Sequence, residues 1–99
     1  MGKYILSKKA KEDIADIWNY TYETWSEEQA DKYFLLLHEG FELISINPKI
    51  GLVKREVDNY LYEFTIHKHM VFYRILGDVE IRIVRVFNER MDMNQQLSK

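Results

Sequence analysis

The sequence predicts an α+β fold in which an N-terminal strand and an antiparallel helix hairpin precede an antiparallel meander that the hairpin covers on one side. Three observations carry this. Residues 8 to 46 place apolar side chains at three- and four-residue spacings, broken once at Trp25-Ser26. Residues 61 to 87 hold runs rich in β-branched and aromatic side chains around Gly77-Asp78. Asn47-Pro48 separates the two regimes, because proline can neither donate to a helix nor continue one.

The chain has 99 residues, enough to bury a core without metal or disulfide, and reads as a single domain over 1–99 with a polar tail that frays after about residue 92. It has no cysteine, which excludes disulfide frameworks, thiolate metal sites and cysteine nucleophiles. No apolar run approaches the roughly 20 residues of a membrane span, and the first residues do not resemble a signal peptide. A cytoplasmic location is expected. The net charge of −2 is unevenly spread: residues 1–46 hold five Lys/Arg against nine Asp/Glu, whereas residues 47–99 hold nine against seven. That balance argues against a nucleic-acid binder of the whole-surface kind and leaves a locally basic face on the second half, suited to an acidic partner or a phosphate backbone.

Tyr4-Ile5-Leu6 reads as a short strand and Ser7 as an N-cap. Ala10, Ile14, Ile17, Trp18, Thr21 and Trp25 then give the stripe of a helix over roughly 8–24. Lys8, Lys9 and Lys11 oppose its dipole and read as a solvated face. Ser26-Glu27-Glu28-Gln29 fits a capping box, with acids where the dipole favours them. The second helix follows, with Ala30, Tyr33, Phe34, Leu37, Phe41 and Ile44 on its apolar face. His38 flanks that stripe without a second ligand one turn away, and reads as a packed or partly exposed histidine.

Asn47-Pro48-Lys49-Ile50-Gly51 is a turn signal, and Leu52 to Asn59 an edge strand or ordered loop. From Leu61 to His67 the residues alternate, putting Tyr62, Phe64 and Ile66 on a buried face. If Gly77-Asp78 is a two-residue loop, Arg74 faces Ile81, Phe72 faces Ile83 and Met70 faces Arg85. Arg74 and Arg85 then share one face and Arg82 points to the other, where it reads as the structural arginine. An unpaired buried guanidinium is costly, so these arginines belong at margins or in a groove.

No phosphate-loop, dinucleotide, HExxH, GxSxG or calcium-loop pattern occurs, and neither cofactor nor metal is expected. His67 and His69, two apart on one strand, would share a face and read as a surface pair. Lys54, Arg55, Lys68, Arg74 and Arg85 form a candidate cluster for phosphate or acidic side chains. Ion pairs with Glu56, Glu63 and Glu80 explain the same residues equally well.

Taken in order, Leu6-Ser7 with Ala10, Asp13-Ile14 and Ile17-Trp18; Gln29-Ala30 and Tyr33; Asn47-Pro48 with Gly51; Arg55-Glu56; Val71-Phe72-Tyr73-Arg74; Ile81 to Val86; and Arg90-Met91-Asp92 resemble the ParE branch of the RelE/ParE toxin superfamily. The resemblance spans nearly the whole chain. It implies a small, curved, mainly antiparallel sheet carrying the helix hairpin. It also implies a growth inhibitor of the plasmid-stabilising toxin-antitoxin type that binds and poisons DNA gyrase, without a catalytic centre of its own. A ParD-like antitoxin would neutralise it in a hetero-oligomer, with no membrane and no direct specific nucleic acid as partners. Arg55, Tyr73, Arg74, Arg85, Arg90 and Met91 are then the expected antitoxin or target contacts.

Two positions depart from the family pattern: in Asn59-Tyr60-Leu61, Leu61 or its neighbour stands where many relatives carry arginine, and Asn88 stands where a histidine is usual. The alternative on the same fold is a RelE-like ribosome-dependent mRNA endonuclease, with Lys54, Arg55, Arg74 and Arg85 supplying charge to the phosphorane. Asn88 cannot serve it as a general acid. A third reading is an inactive family member kept as a binding or autoregulatory module.

Overall fold

The computed structural model describes residues 2–88, so the Arg90-Met91-Asp92 motif and the tail lie outside the described residues. Strand β1 (Lys3–Leu6) leads into helix α1 (Lys8–Thr24) and helix α2 (Glu27–Ile46), then a single 3-10 turn over Pro48–Ile50. Strands β2 (Leu52–Val53), β3 (Tyr62–Ile66), β4 (His69–Gly77) and β5 (Glu80–Asn88) follow. The sheet order is β1-β5-β4-β3-β2. Among the described residues only β1 runs parallel to its neighbour: the helix hairpin carries the chain to β2 at the opposite edge, and the antiparallel run β2 to β5 returns it beside β1.

Both helix starts form as the cap residues dictate. The Ser7 hydroxyl accepts from Ala10 N–H at 3.0 Å, and the Ser26 hydroxyl accepts from Gln29 N–H at 3.1 Å. Ser7 also donates to the Val84 carbonyl at 2.7 Å, tying the start of α1 to β5. Glu27 and Glu28 favour the dipole of α2, whereas α1 has no acid in its first turn. Trp18 Nε1 donates to Asp31 at 3.2 Å, joining the two helices across their hairpin.

The main core lies between the hairpin and one face of the sheet. Ala10, Ile14, Leu37, Phe41 and Ile44 meet Ile66, Val71, Tyr73, Ile81, Ile83 and Val86, with Tyr62, Phe64 and Ile75 at its rim. Each fully buried Leu, Ile or Phe there contributes roughly 1.5–3 kcal/mol. Helix α2 crosses β3 so closely that a Cβ on Gly40 would meet the Ile66 side chain at 2.3 Å. His38 fills the margin: the Tyr4 hydroxyl hydrogen-bonds its Nδ1, and its Nε2 pairs with Glu42 at 3.0 Å.

The meander departs from the expected register. Gly77 pairs with Glu80, so the β4–β5 turn is Asp78-Val79, one residue later than Gly77-Asp78. Two bulges follow from the pairing, at Leu76 on β4 and at Val84 on β5. As a result Arg74 stands opposite Arg82 and Phe72 opposite Arg85, so Arg74 shares its row with Arg82. The histidines separate too. His67 is in the β3–β4 turn at φ 55°, and His69 begins β4, buried edge-to-face against Tyr33 with ring centroids 6.0 Å apart. They are not a pair on one strand.

Candidate functional site

The face of the sheet turned away from the helices carries a second, smaller apolar cluster of Leu61, Phe72 and Phe87, with Val57, Met70 and Val84 packed on it. Leu61 is 3% exposed and holds the β2–β3 loop down onto Phe72. Charged groups ring this cluster.

Arg85 is held most firmly. Its Nε and one terminal nitrogen donate to the two carboxylate oxygens of Asp13 at 2.8 and 2.9 Å, a bidentate pair. Its guanidinium lies 4.4 Å from the centroid of the Phe87 ring. Asp13 also accepts from Val86 N–H at 3.0 Å. That amide lies beyond the last β1 partner, since the β1 pairing stops at Leu6 opposite Ile83. Asp13 therefore satisfies the edge of β5 where the parallel strand has run out. The Asp13 hydrogen bonds hold Arg85 above the usual arginine range, against an opposing effect of burial.

The other cations are arranged by the loop between β2 and β3. Lys54 pairs with Glu56 at 2.7 Å and with Glu63 at 3.3 Å. Arg74 donates to Asp58 at 2.8 Å, and Asp58 also accepts from Tyr60 N–H at 2.7 Å. Arg55 and Lys68 are exposed in turns, and Arg82 is exposed on β5. Glu56 and Glu63 take part as expected, but the partners of Arg74 and Arg85 are Asp58 and Asp13, and Glu80 forms no ion pair among the described residues. Asp13 did carry a signal: it sits three residues after Ala10 and four before Ile17, beside the buried stripe rather than opposite it.

The contact set is thus divided. Arg55 and Arg74 reach solvent, and Arg85 is mostly enclosed, with its side chain 18% exposed. Arg90 and Met91 lie outside the described residues. Tyr73 is a correction: it is 0% exposed, and its hydroxyl donates to the Pro48 carbonyl at 2.6 Å and accepts from Gly51 N–H at 3.0 Å. It anchors the Asn47-Pro48-Lys49-Ile50-Gly51 corner to the sheet and offers no surface to a partner. Arg82, expected to be the structural arginine, is exposed, because the shifted turn and the Leu76 bulge bring it opposite Arg74 on the outer face.

The Asp58–Arg74 pair gives a pH-dependent contribution. The Arg74 hydrogen bond, helped by Tyr60 N–H, holds the Asp58 carboxyl below its usual value. A carboxylate depressed in the folded state adds stability that is complete above its unfolded pKa and is lost as pH falls through the folded one. Urea midpoints should therefore fall between about pH 5 and pH 3, less steeply in Asp58→Asn. Equal slopes in both proteins would remove Asp58 from the acid response.

A family model described as the ParE toxin of the type II toxin-antitoxin system, parDE, matches residues 4–93. The chain belongs to the ParE toxin family. Toxin ParE1 of Mycobacterium tuberculosis (strain ATCC 25618 / H37Rv) is 33% identical over 96 residues, covering 97% of this chain and 98% of the relative. Toxin ParE1 of Caulobacter vibrioides is 33% identical over 97 residues, covering 98% and 99%. A solved chain from the chromosomal ParDE TA system of P. aeruginosa shares the fold at TM-score 0.73, with 19% identity and coverage of 89% and 95%. The ParE fold here is the helix hairpin on a five-stranded sheet, as the order and spacing of Ser7, Asn47-Pro48 and Phe72-Tyr73-Arg74 implied. Among the described residues no helix is long and apolar enough to cross a membrane.

Proposed function

We propose that this ParE-family toxin stops growth by binding DNA gyrase and holding it with cleaved DNA in the cytoplasm, and that a ParD-like antitoxin neutralises it in a hetero-oligomer. Family membership supports the toxin half of this reading. One geometric observation favours binding over catalysis. Of the four cations suited to a nuclease, Lys54, Arg74 and Arg85 already face carboxylates at 2.7–3.3 Å. A ribonuclease needs its cations free to stabilise a pentacoordinate phosphate, and internal carboxylates compete for that role. A docking surface has no such need, since paired charges at its rim still set orientation and partner choice.

Antitoxin recognition is supported by the basic excess of residues 47–99 against the acidic balance of residues 1–46. An acidic, amphipathic segment that orders on binding suits a basic sheet with an apolar centre.

The deciding experiment compares purified protein in a gyrase supercoiling and cleavage assay with a ribosome-programmed mRNA assay. Loss of supercoiling with accumulation of linear DNA is expected, and intact mRNA. Codon-positioned mRNA cuts with normal supercoiling would replace this reading with the endonuclease one. Inactivity in both would leave a binding or autoregulatory module.

A further inference from the structure

On the outer face of the sheet Arg74 and Arg82 are cross-strand partners, two cationic residues in directly opposed positions. Like charges directly opposite one another in a sheet are destabilising, and a strand built only for stability would put threonine or valine at such a place. Arg74 has Asp58 as its counterion, with its side chain 39% exposed. Arg82 is exposed and has no ion pair with a carboxylate among the described residues. The row continues onto β1, where Ile5 pairs with Arg82 and is 42% exposed, its neighbours Tyr4 and Leu6 being turned into the main core.

We propose that Arg82, with Arg74 beside it, is a carboxylate-recognition site for an acidic peptide segment laid across the outer face of the sheet, with Ile5 receiving an apolar side chain next to the acid. This deepens the antitoxin reading above by placing one acidic contact of the partner, and rests on that reading only for the partner's identity. The chemistry favours peptide over nucleic acid. Asp58 and the Lys54-bound Glu63 belong to the same face, and Glu80 precedes Arg82 on its own strand by two residues, so the positive potential is local. A phosphate backbone following the strand would meet those carboxylates, whereas a single glutamate or aspartate needs only the gap at Arg82. The planar fork of Arg82 can meet both oxygens of a carboxylate, with Arg74 at the opposed position of the next strand adding positive charge beside it. With Arg74 paired to Asp58, the charge left for a partner carboxylate to neutralise is that of Arg82, a trade of stability for binding.

The test uses the whole chain with a synthetic peptide, acetyl-Leu-Glu-Leu-Glu-Leu-Glu-amide, its glutamine counterpart, and a single-stranded DNA oligonucleotide of matched charge. Titration is followed on the arginine Nε–H resonances by NMR. The glutamate peptide should shift Arg82 and Arg74 saturably and the glutamine peptide should not, with affinity falling about tenfold in Arg82→Gln. Arg82→Thr, which restores an ordinary strand residue, should also weaken binding while melting at or above the temperature of the unaltered protein. The proposal is overturned if Arg82→Gln binds the peptide unchanged, if shifts are as large at the exposed Arg55 as at Arg82, or if the oligonucleotide takes the site more tightly. Arg82→Thr melting well below the unaltered protein would show Arg82 to be structural and would also overturn it. Gyrase and antitoxin are absent from this titration, so its failure is separate from failure of the gyrase reading.

Discussion

Replacing Asp13 with alanine should lower the unfolding free energy by about 3 kcal/mol, the largest loss expected from any single polar side chain in the described structure. Removing one partner of a largely enclosed ion pair leaves the other charge desolvated and uncompensated, a cost of roughly 3–5 kcal/mol. The lower end applies because both side chains keep a rim in water, 12% exposed for Asp13 and 18% for Arg85. To the lost pair is added Val86 N–H, which has no strand partner at the β5 edge once Asp13 is gone. Asp13→Asn separates the two contributions. It keeps an oxygen for the amide but has no charge for Arg85, so it should cost about half as much. Urea unfolding at neutral pH and high salt measures both. A loss below about 1 kcal/mol for alanine would mean that Arg85 rotates out to water, taking its guanidinium away from Phe87.

The second large effect is expected at Tyr73. Its ring is fully buried and stacks on Tyr62 with centroids 5.5 Å apart, so Tyr73→Phe keeps the packing and removes only the hydroxyl. That hydroxyl serves two backbone groups at once, the Pro48 carbonyl and Gly51 N–H. Both are left without it, and a buried unsatisfied polar group costs about 1–3 kcal/mol, so a loss of about 2 kcal/mol is expected with an unchanged denaturant slope. The corner is tight from the other side as well: a Cβ on Gly51 would lie 2.6 Å from the Tyr73 hydroxyl and 2.7 Å from the Glu63 carbonyl. Gly51→Ala should therefore destabilise in its own right and be partly relieved when Tyr73→Phe is added. A double-mutant cycle with strictly additive losses would show that the two residues do not meet as described.

What was legible in the sequence were features written by neighbours along the chain. The helix caps at Ser7 and Ser26, the stop at Asn47-Pro48 and the alternation of Tyr62, Phe64 and Ile66 all act within a few residues, where local hydrogen bonding and burial periodicity are strong. Register was less accessible. Counting outward from Gly77-Asp78 put Arg74 with Arg85, because a bulge leaves no mark in composition, and the insertion of Leu76 and then Val84 changed each pairing after it. His67 illustrates the same limit: read as a strand residue, it adopts the left-handed turn that joins β3 to β4.

By itself, then, the sequence determined the element order, the helix hairpin, the family to which the chain belongs and most of each helix's buried stripe, although Trp25 and Phe34, read as part of those stripes, are 73% and 53% exposed. Tertiary structure alone decided the fate of the polar groups. Asp13 lies 72 residues before Arg85 and Asp58 16 before Arg74, separations at which nothing in local pattern assigns a partner. Tyr73 became an anchor and not a contact residue because the 3-10 corner folds back onto β4 and encloses it. Arg82 became exposed because a displaced turn and the Leu76 bulge brought it opposite Arg74 on the outer face. In each case the physical reason is one of distance and solvent: charges and hydroxyls take the counter-group that the packed backbone brings within about 3 Å, and only the packed backbone says which group that is.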